Sequence, residues 1–374
     1  MHRSYEFRRY DFISILIVVA LFIISYYAIG SATRINSIEG TDFFATKQFY
    51  GFIFGFVLMI VVSFIDYHLI GKFAFLIYIL NIALLVSVFF IGASKNGAAR
   101  WIPIGGFTFQ PSEFAKLFMV IVLAKYFDKF EKKINKIYIL LGSLILIIVP
   151  VLLIEKQPDL STSLVLVFIF VVILFSAGIS YKYIFAAVIL TVPITLGIFW
   201  YVQQPDQQLL EGYQLERILA TINPEEYELS SALQTQNSVQ AIGSGQLYGK
   251  GLYNGKLNQY DYLPEPQTDF IFSIIGEEFG FLGCSVVLIL LMLLILRVIY
   301  IAKDSTDLLG QLLVSGFVAV IVFQTFINVG VTTAIVPNTG LPLPFVSYGL
   351  TALLSNMLML GMIINLSMQR KTST

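Results

Sequence analysis

The chain has 374 residues, of which 57% are apolar and 12% charged, with 23 basic residues balancing 23 acidic ones. A soluble domain of this length needs a far more charged surface, and a neutral balance lacks the basic face that nucleic acid requires. The lone cysteine, Cys284, sits inside an apolar run and excludes an intrachain disulfide or a thiolate metal cluster.

Histidine is as scarce. His2 lies in the N-terminal tail and His68 follows an apolar run at the same membrane face. A Ser–His–Asp triad or a His-based zinc site on the opposite face is therefore excluded.

In chain order, apolar runs long enough to cross about 30 Å of hydrocarbon fall near 12–32, 46–65, 72–92, 112–127, 137–154, 162–179, 182–202, 281–301, 308–335 and 347–367. They predict an all-α polytopic membrane protein of about ten transmembrane helices, read as a single domain over 1–374. The first run follows Arg3, Arg8 and Arg9; it is too long, and lacks the small-residue cleavage site, to be a removed signal peptide. With the N-terminus inside, cytoplasmic segments collect these arginines and Lys72, Lys125–Lys136, Lys182, Arg297, Lys303, Arg370 and Lys371. The short outer links hold Arg34, Lys47, Lys95, Arg100 and Lys156. That asymmetry puts both termini in the cytoplasm. The KYFDKFEKKINK cluster, Lys125–Lys136, reads as a solvated loop that sets topology in preference to a partner site.

A polar outer loop over 203–268, between spans seven and eight, breaks the rhythm. It holds the turn cluster GSGQLYGKGLYNGK at 243–256, and its YQLERILATI and SVQAIGSG stretches mix apolar and polar residues as short interfacial helices do. A loop this long is functional or disordered. No internal repeat or low-complexity tract is present.

Ionisable groups at membrane depth mark function by default, and the outer side carries four sets. In RWIPIGGFTFQPSEFAKL (100–117), Ser112 suits a helix cap and Glu113 the positive end of the dipole; Glu113 and Lys116 share a face, as an ion pair or as a functional pair. In EKQPDLSTS (155–163), Asp159 suits a cap for the next helix, and Lys156 either binds phosphate or snorkels. In GYQLERILATINPEE (212–226), Arg217 is a bidentate phosphate clamp or an interfacial anchor. In LPEPQTDFIFSIIGEEFG (263–280), Asp269 lies among apolar residues, where desolvation raises a carboxyl pKa toward that of a general base. Thr268 and Asp269 equally fit a helix N-cap, while Glu277 and Glu278 suit packing or an ion pair. The set fits transfer of a phosphate-activated donor to a hydroxyl acceptor, with cations on the phosphates and a carboxylate taking the proton. A proton-coupled transporter carries similar groups.

The blocks QPSEFAKL (110–117), QPDLSTS (157–163), AIGSGQLYGKG (241–251), LPEPQTDFIFSIIGEEFG (263–280) and PLPFVSYG (342–349) resemble, in order and over nearly the whole chain, the signature blocks of the SEDS family (shape, elongation, division and sporulation). The short tails and the LPE-x-x-TDFIF block are more similar to the family's elongation branch than to its division branch.

The resemblance implies a bacterial peptidoglycan glycosyltransferase in the cell membrane. It would polymerise lipid II by β-1,4 bonds on the outer face and release undecaprenyl pyrophosphate. A class B penicillin-binding protein, other elongation proteins and membrane lipid would be its partners. No cofactor is required, with Mg or Mn as an optional aid and no metal ligands assigned. Asp269 matches the family's essential aspartate, which would deprotonate the acceptor 4-hydroxyl. Glu113, Lys116 and Asp159 match polar positions lining the same cavity, and Arg100 and Arg217 match basic ones. Gln267 stands where many members have histidine, and Leu350 replaces a second glycine after SYG.

The competing readings are a lipid-linked precursor flippase and a noncatalytic scaffold for a transpeptidase. A flippase needs polar groups through the midplane and, often, repeated halves. The spans here are almost bare of charge at mid-depth.

Overall fold

A computed structural model describes residues 6–34, 43–95, 98–105, 107–202, 204, 231–259, 262–263, 265–305 and 307–369. The helices are α1 (Phe12–Ala32), α2 (Phe43–Ser63), α3 (Tyr67–Lys72), α4 (Ala74–Ile91), α5 (Pro111–Lys129), α6 (Ile137–Glu155), α7 (Leu160–Ser176), α8 (Tyr181–Val202), α9 (Ser231–Gly245), α10 (Lys256–Gln259), α11 (Ile271–Lys303), α12 (Leu308–Thr332) and α13 (Leu350–Met368).

Each apolar run predicted above has its helix. Seven of them, α1, α2, α4, α6, α11, α12 and α13, are long and apolar enough to cross a membrane. α7 is apolar but shorter at 17 residues. α5 is less apolar because it carries Glu113, Lys116, Lys125, Asp128 and Lys129. Such a helix is tolerable only if protein surrounds it, and α5 packs against α4, α7, α12 and α13.

Both ends of the described chain meet at one end of the bundle, where the Glu6 amide donates to the Met368 carbonyl and Ser367 Oγ to the Arg9 carbonyl. Capping carboxylates knit this terminal end. Asp66 caps α3 through the His68 amide (2.9 Å), and Asp307 caps α12 through the Gly310 amide (3.1 Å). The His68 ring stands between them, with Nδ1 2.7 Å from Asp66 and Nε2 against Asp307, to which Tyr67 also donates at 2.9 Å. Burial by itself raises the Asp307 pKa. The hydrogen bonds from His68, Gly310 and Tyr67, with the charge of His68, outweigh it and hold the carboxylate at about 2.

The opposite end, here the loop end, departs from a purely helical expectation. Between α4 and α5 the chain forms a three-stranded antiparallel sheet of β1 (Ala93–Lys95), β2 (Ala98–Ile104) and β3 (Phe107–Phe109). Ile102 pairs with Phe109 and Ile104 with Phe107 across a turn at Gly105. The link between these helices satisfies much of its backbone by pairing its own strands.

The predicted eighth span, 281–301, is the second half of α11, which breaks at Gly280 (φ 66°, ψ −163°). The first half, beginning at Ile271, belongs to the loop end. Within the long polar loop, the described parts are α9, the turns after it and α10.

Candidate active site

Three elements meet around Asp159, which is 4% exposed. It caps α7, accepting from the Thr162 amide (3.3 Å) and Thr162 Oγ1 (3.0 Å). The same carboxylate accepts from Ser112 Oγ (3.1 Å) and Gln110 Nε2 (3.3 Å), at the start of α5. From β2, Arg100 Nη1 approaches to 3.9 Å, while the rest of its guanidinium donates to the Gln157 and Pro158 carbonyls. Ser112 was predicted to cap α5. Instead Gln110 occupies the cap position, Pro111 opens the helix, and the serine hydroxyl serves Asp159.

One turn into α5, Lys116 Nζ lies 2.6 Å from Glu113 Oε2, with Lys116 fully buried. Ser355 of α13 donates to the Glu113 carbonyl at 3.0 Å. Both charges neutralise each other where α5 enters the bundle, which makes their depth affordable.

The break in α11 leaves backbone groups without helical partners, and the AIGSGQLYGKG turn supplies them. Amides of Lys250 and Gly251 donate to the Glu277 and Glu278 carbonyls (3.0 Å each), and amides of Phe281 and Leu282 donate to Gln246 and Leu247 (2.8 and 3.2 Å). Contact is backbone to backbone: Gly249 has φ +78°, and a Cβ there would lie 2.1 Å from the Glu278 carbonyl oxygen. Side chains complete the seam. Glu277 pairs with Lys250 at 2.6 Å and accepts from the Leu257 amide (3.1 Å), while Glu278 accepts from Ser31 of α1 at 2.5 Å. Arg34 lies over the Tyr253 ring at 4.9 Å, tying the end of α1 to the same turn.

Asp269 ends the turn that leads into α11, and it is half-buried. It does not occupy the helix cap; Phe270 does, without a side-chain hydrogen bond, and Thr268 Oγ1 donates to the Glu265 carbonyl instead. Three successive carbonyls of this turn are held by three separate donors. Tyr348 N donates to Gln267 O (2.8 Å), Ser347 Oγ to Thr268 O (2.6 Å) and Asn328 Nδ2 to Asp269 O (2.9 Å). Above the backbone, the carboxylate rests on Gly340: a Cβ built there would stand 3.3 Å from Asp269 Oδ2, and Gly340 itself has φ +74°. Any larger residue crowds the carboxylate.

The loop preceding α13 thus joins the two acidic centres. Its Gly340 underlies Asp269, and the neighbouring Thr339 carbonyl accepts from Ser161 in the first turn of α7, beside Asp159. Arg100 and Asp159 come together at the start of α5, the Glu113–Lys116 pair lies in the first turns of that helix, and Asp269 lies across that loop. Arg217 lies outside the described residues. Asn328, Lys250 and Ser347 carry much of the geometry, and the sequence reading did not single them out. Only a buried amide in an apolar helix, at Asn328, offered a signal in advance.

These features define a polytopic helical membrane protein whose charged groups converge in a loop-built site at one end of the bundle. Residues 10–372 match the FtsW/RodA/SpoVE family, described as a cell cycle protein, and the chain belongs to this SEDS family. It is 35% identical over 360 residues to peptidoglycan glycosyltransferase MrdB of Escherichia coli K12, covering 96% of this chain and 93% of that one. It is 33% identical to the probable peptidoglycan glycosyltransferase FtsW of Geobacter metallireducens, covering 98% and 96%. A solved chain from a peptidoglycan synthase complex that coordinates polymerization and crosslinking superposes with a TM-score of 0.79 at 26% identity, covering 96% of this chain and 97% of that one.

Proposed function

We propose that this chain is a peptidoglycan glycosyltransferase that polymerises lipid II on the outer face of a bacterial cell membrane. Relatives named for that activity support the reaction class. The observation that carries the assignment is Asp269: a half-buried carboxylate on an anchored backbone, beside a glycine that leaves room, at the end of the bundle where the other charges gather.

In this reading, Asp269 accepts the proton of the acceptor's 4-hydroxyl as that oxygen attacks the anomeric carbon of the donor. The bond from that carbon to the phosphate oxygen breaks, its electron pair leaves with undecaprenyl pyrophosphate, and the centre inverts into a β-1,4 link. General-base assistance of this kind contributes roughly 10²–10⁴-fold. Asp159, Glu113 and Lys116 are supporting residues: Asp159 caps α7 and joins it to α5, and the Glu113–Lys116 pair lets α5 carry charge into the bundle. Arg100, with 23% of its side chain exposed, and Arg217 are the candidates for the pyrophosphate charge. Mg or Mn would assist at that same charge. Among the described residues no three His, Cys, Asp or Glu side chains gather to hold such an ion, and no step is assigned to it.

The partner is a class B penicillin-binding protein, a reading supported by the synthase complex whose chain this one resembles. Both termini are cytoplasmic, as the cation asymmetry of the links requires. The role is elongation and shape maintenance, resting on the LPE-x-x-TDFIF block.

The test is direct. Purified protein with its partner is given labelled lipid II, and products are separated by size. Wild type forms glycan chains and Asp269→Asn does not. Chains formed equally by both, or trans-bilayer movement of lipid without polymerisation, overturn the proposal.

A further inference from the structure

We infer that Asn328 is a positioning residue for Asp269, an inference that rests on Asp269 being the base. Asn328 lies in α12, 1% exposed, in the loop-end half of an otherwise apolar helix. Its amide nitrogen carries two hydrogens, and each has an acceptor: the Asp269 carbonyl at 2.9 Å and the Leu341 carbonyl at 2.8 Å. Those carbonyls belong to two separate segments, the turn into α11 and the loop before α13.

The second segment is the one that floors the carboxylate, since Leu341 follows Gly340 directly and Gly340 lies against Asp269 Oδ2. One amide therefore grips the residue bearing the base and the backbone beneath its carboxylate. Ser347 and Tyr348 hold the neighbouring carbonyls at Thr268 and Gln267, but neither bonds to Asp269 itself.

The other half of the same amide points to the same role. Asn328 Oδ1 is buried with no hydrogen-bond partner among the described residues. A helix that needed only to fill space here would use leucine and leave no orphaned oxygen. What asparagine adds over leucine is the two-hydrogen donor, and that donor is fully engaged.

A displacement of about 1 Å at a reacting group can cost on the order of 100-fold in rate while substrate contacts elsewhere persist. The experiment uses the full chain with its transpeptidase partner and labelled lipid II, measuring kcat and KM separately. Asn328→Leu keeps the branched outline and removes both donors; kcat is expected to fall roughly 30- to 100-fold with KM changed less than about two-fold. Asn328→Ser retains one donor and is expected to lose about three- to ten-fold in kcat, again at unchanged KM. It also serves if the leucine variant is not recovered as monodisperse protein.

A folded variant of either kind with wild-type kcat overturns the inference, as does a loss carried wholly by KM. Asp269→Asn in the same assay separates the two claims. If it stays active, the base assignment fails. If it is dead while Asn328→Leu is fully active, only the positioning role fails.

Discussion

Asp159 and Asp269 sit at the same end of one bundle, linked by a single loop, and their surroundings differ in kind. Asp159 is buried and takes donors from α5, from β2 and from its own helix, so its oxygens are spent on joining elements. At Asp269 the joining is done by the backbone. Carbonyls 267–269 take cross-links from Tyr348, Ser347 and Asn328, and the half-buried carboxylate lies against Gly340. The two aspartates thus differ in which of their atoms join elements: side-chain oxygens at Asp159, the backbone carbonyl at Asp269.

Removing the charge at each aspartate should break this contrast most sharply. Asp269→Asn is near-isosteric and leaves the carbonyl cross-links intact. Polymerisation should fall at least about 100-fold, with normal insertion and a Tm within a few degrees of wild type. Asp159→Ala should do the reverse. It strands the four donor groups of Gln110, Ser112 and Thr162 in a buried site and should cost about 3 kcal/mol, read as a lower Tm in detergent. If Asp159→Ala matches Asp269→Asn in lost activity at unchanged Tm, that contrast fails.

Gly249→Ala sharpens the comparison from outside. Its Cβ would meet the Glu278 carbonyl at 2.1 Å and open the seam across the broken helix. A loss of about 1–3 kcal/mol is expected, with weaker activity arising indirectly through the turn that carries Asp269.

The smallest effect is expected at the terminal end. Asp307 is held at about 2 against an ordinary 3.8, so its stabilisation is complete above pH 4 and drains away as pH falls toward 2. Replacing it by asparagine should flatten part of the acid limb of Tm against pH and leave polymerisation at neutral pH within about two-fold, since the knot lies across the bundle from Asp269.

Much of this was legible from residue order. The apolar runs had helical length, and each appears as a helix because backbone groups in hydrocarbon have no other local solution. Glu113 and Lys116 pair because three residues separate them on one helix. Asp159 caps α7 because an aspartate before an apolar run has orphaned amides within reach. Less visible was the sheet between α4 and α5, whose strands are three to seven residues long and alternate too briefly to stand out from a loop.

The partnerships across the chain were not legible at all. Asn328 and Asp269 are 59 residues apart, Lys250 and Glu277 are 27 apart, and Ser161 meets Thr339 across 178. Composition and periodicity determined that this is a bundle of membrane-crossing helices with its chemistry-bearing residues gathered at one end, because burial in lipid constrains every residue locally. That Asp159 would also gather α5 and β2, and that Asp269 would lie against Gly340, was decided only by tertiary structure. A hydrogen bond needs its partner within about 3 Å, and only folding brings distant segments that close.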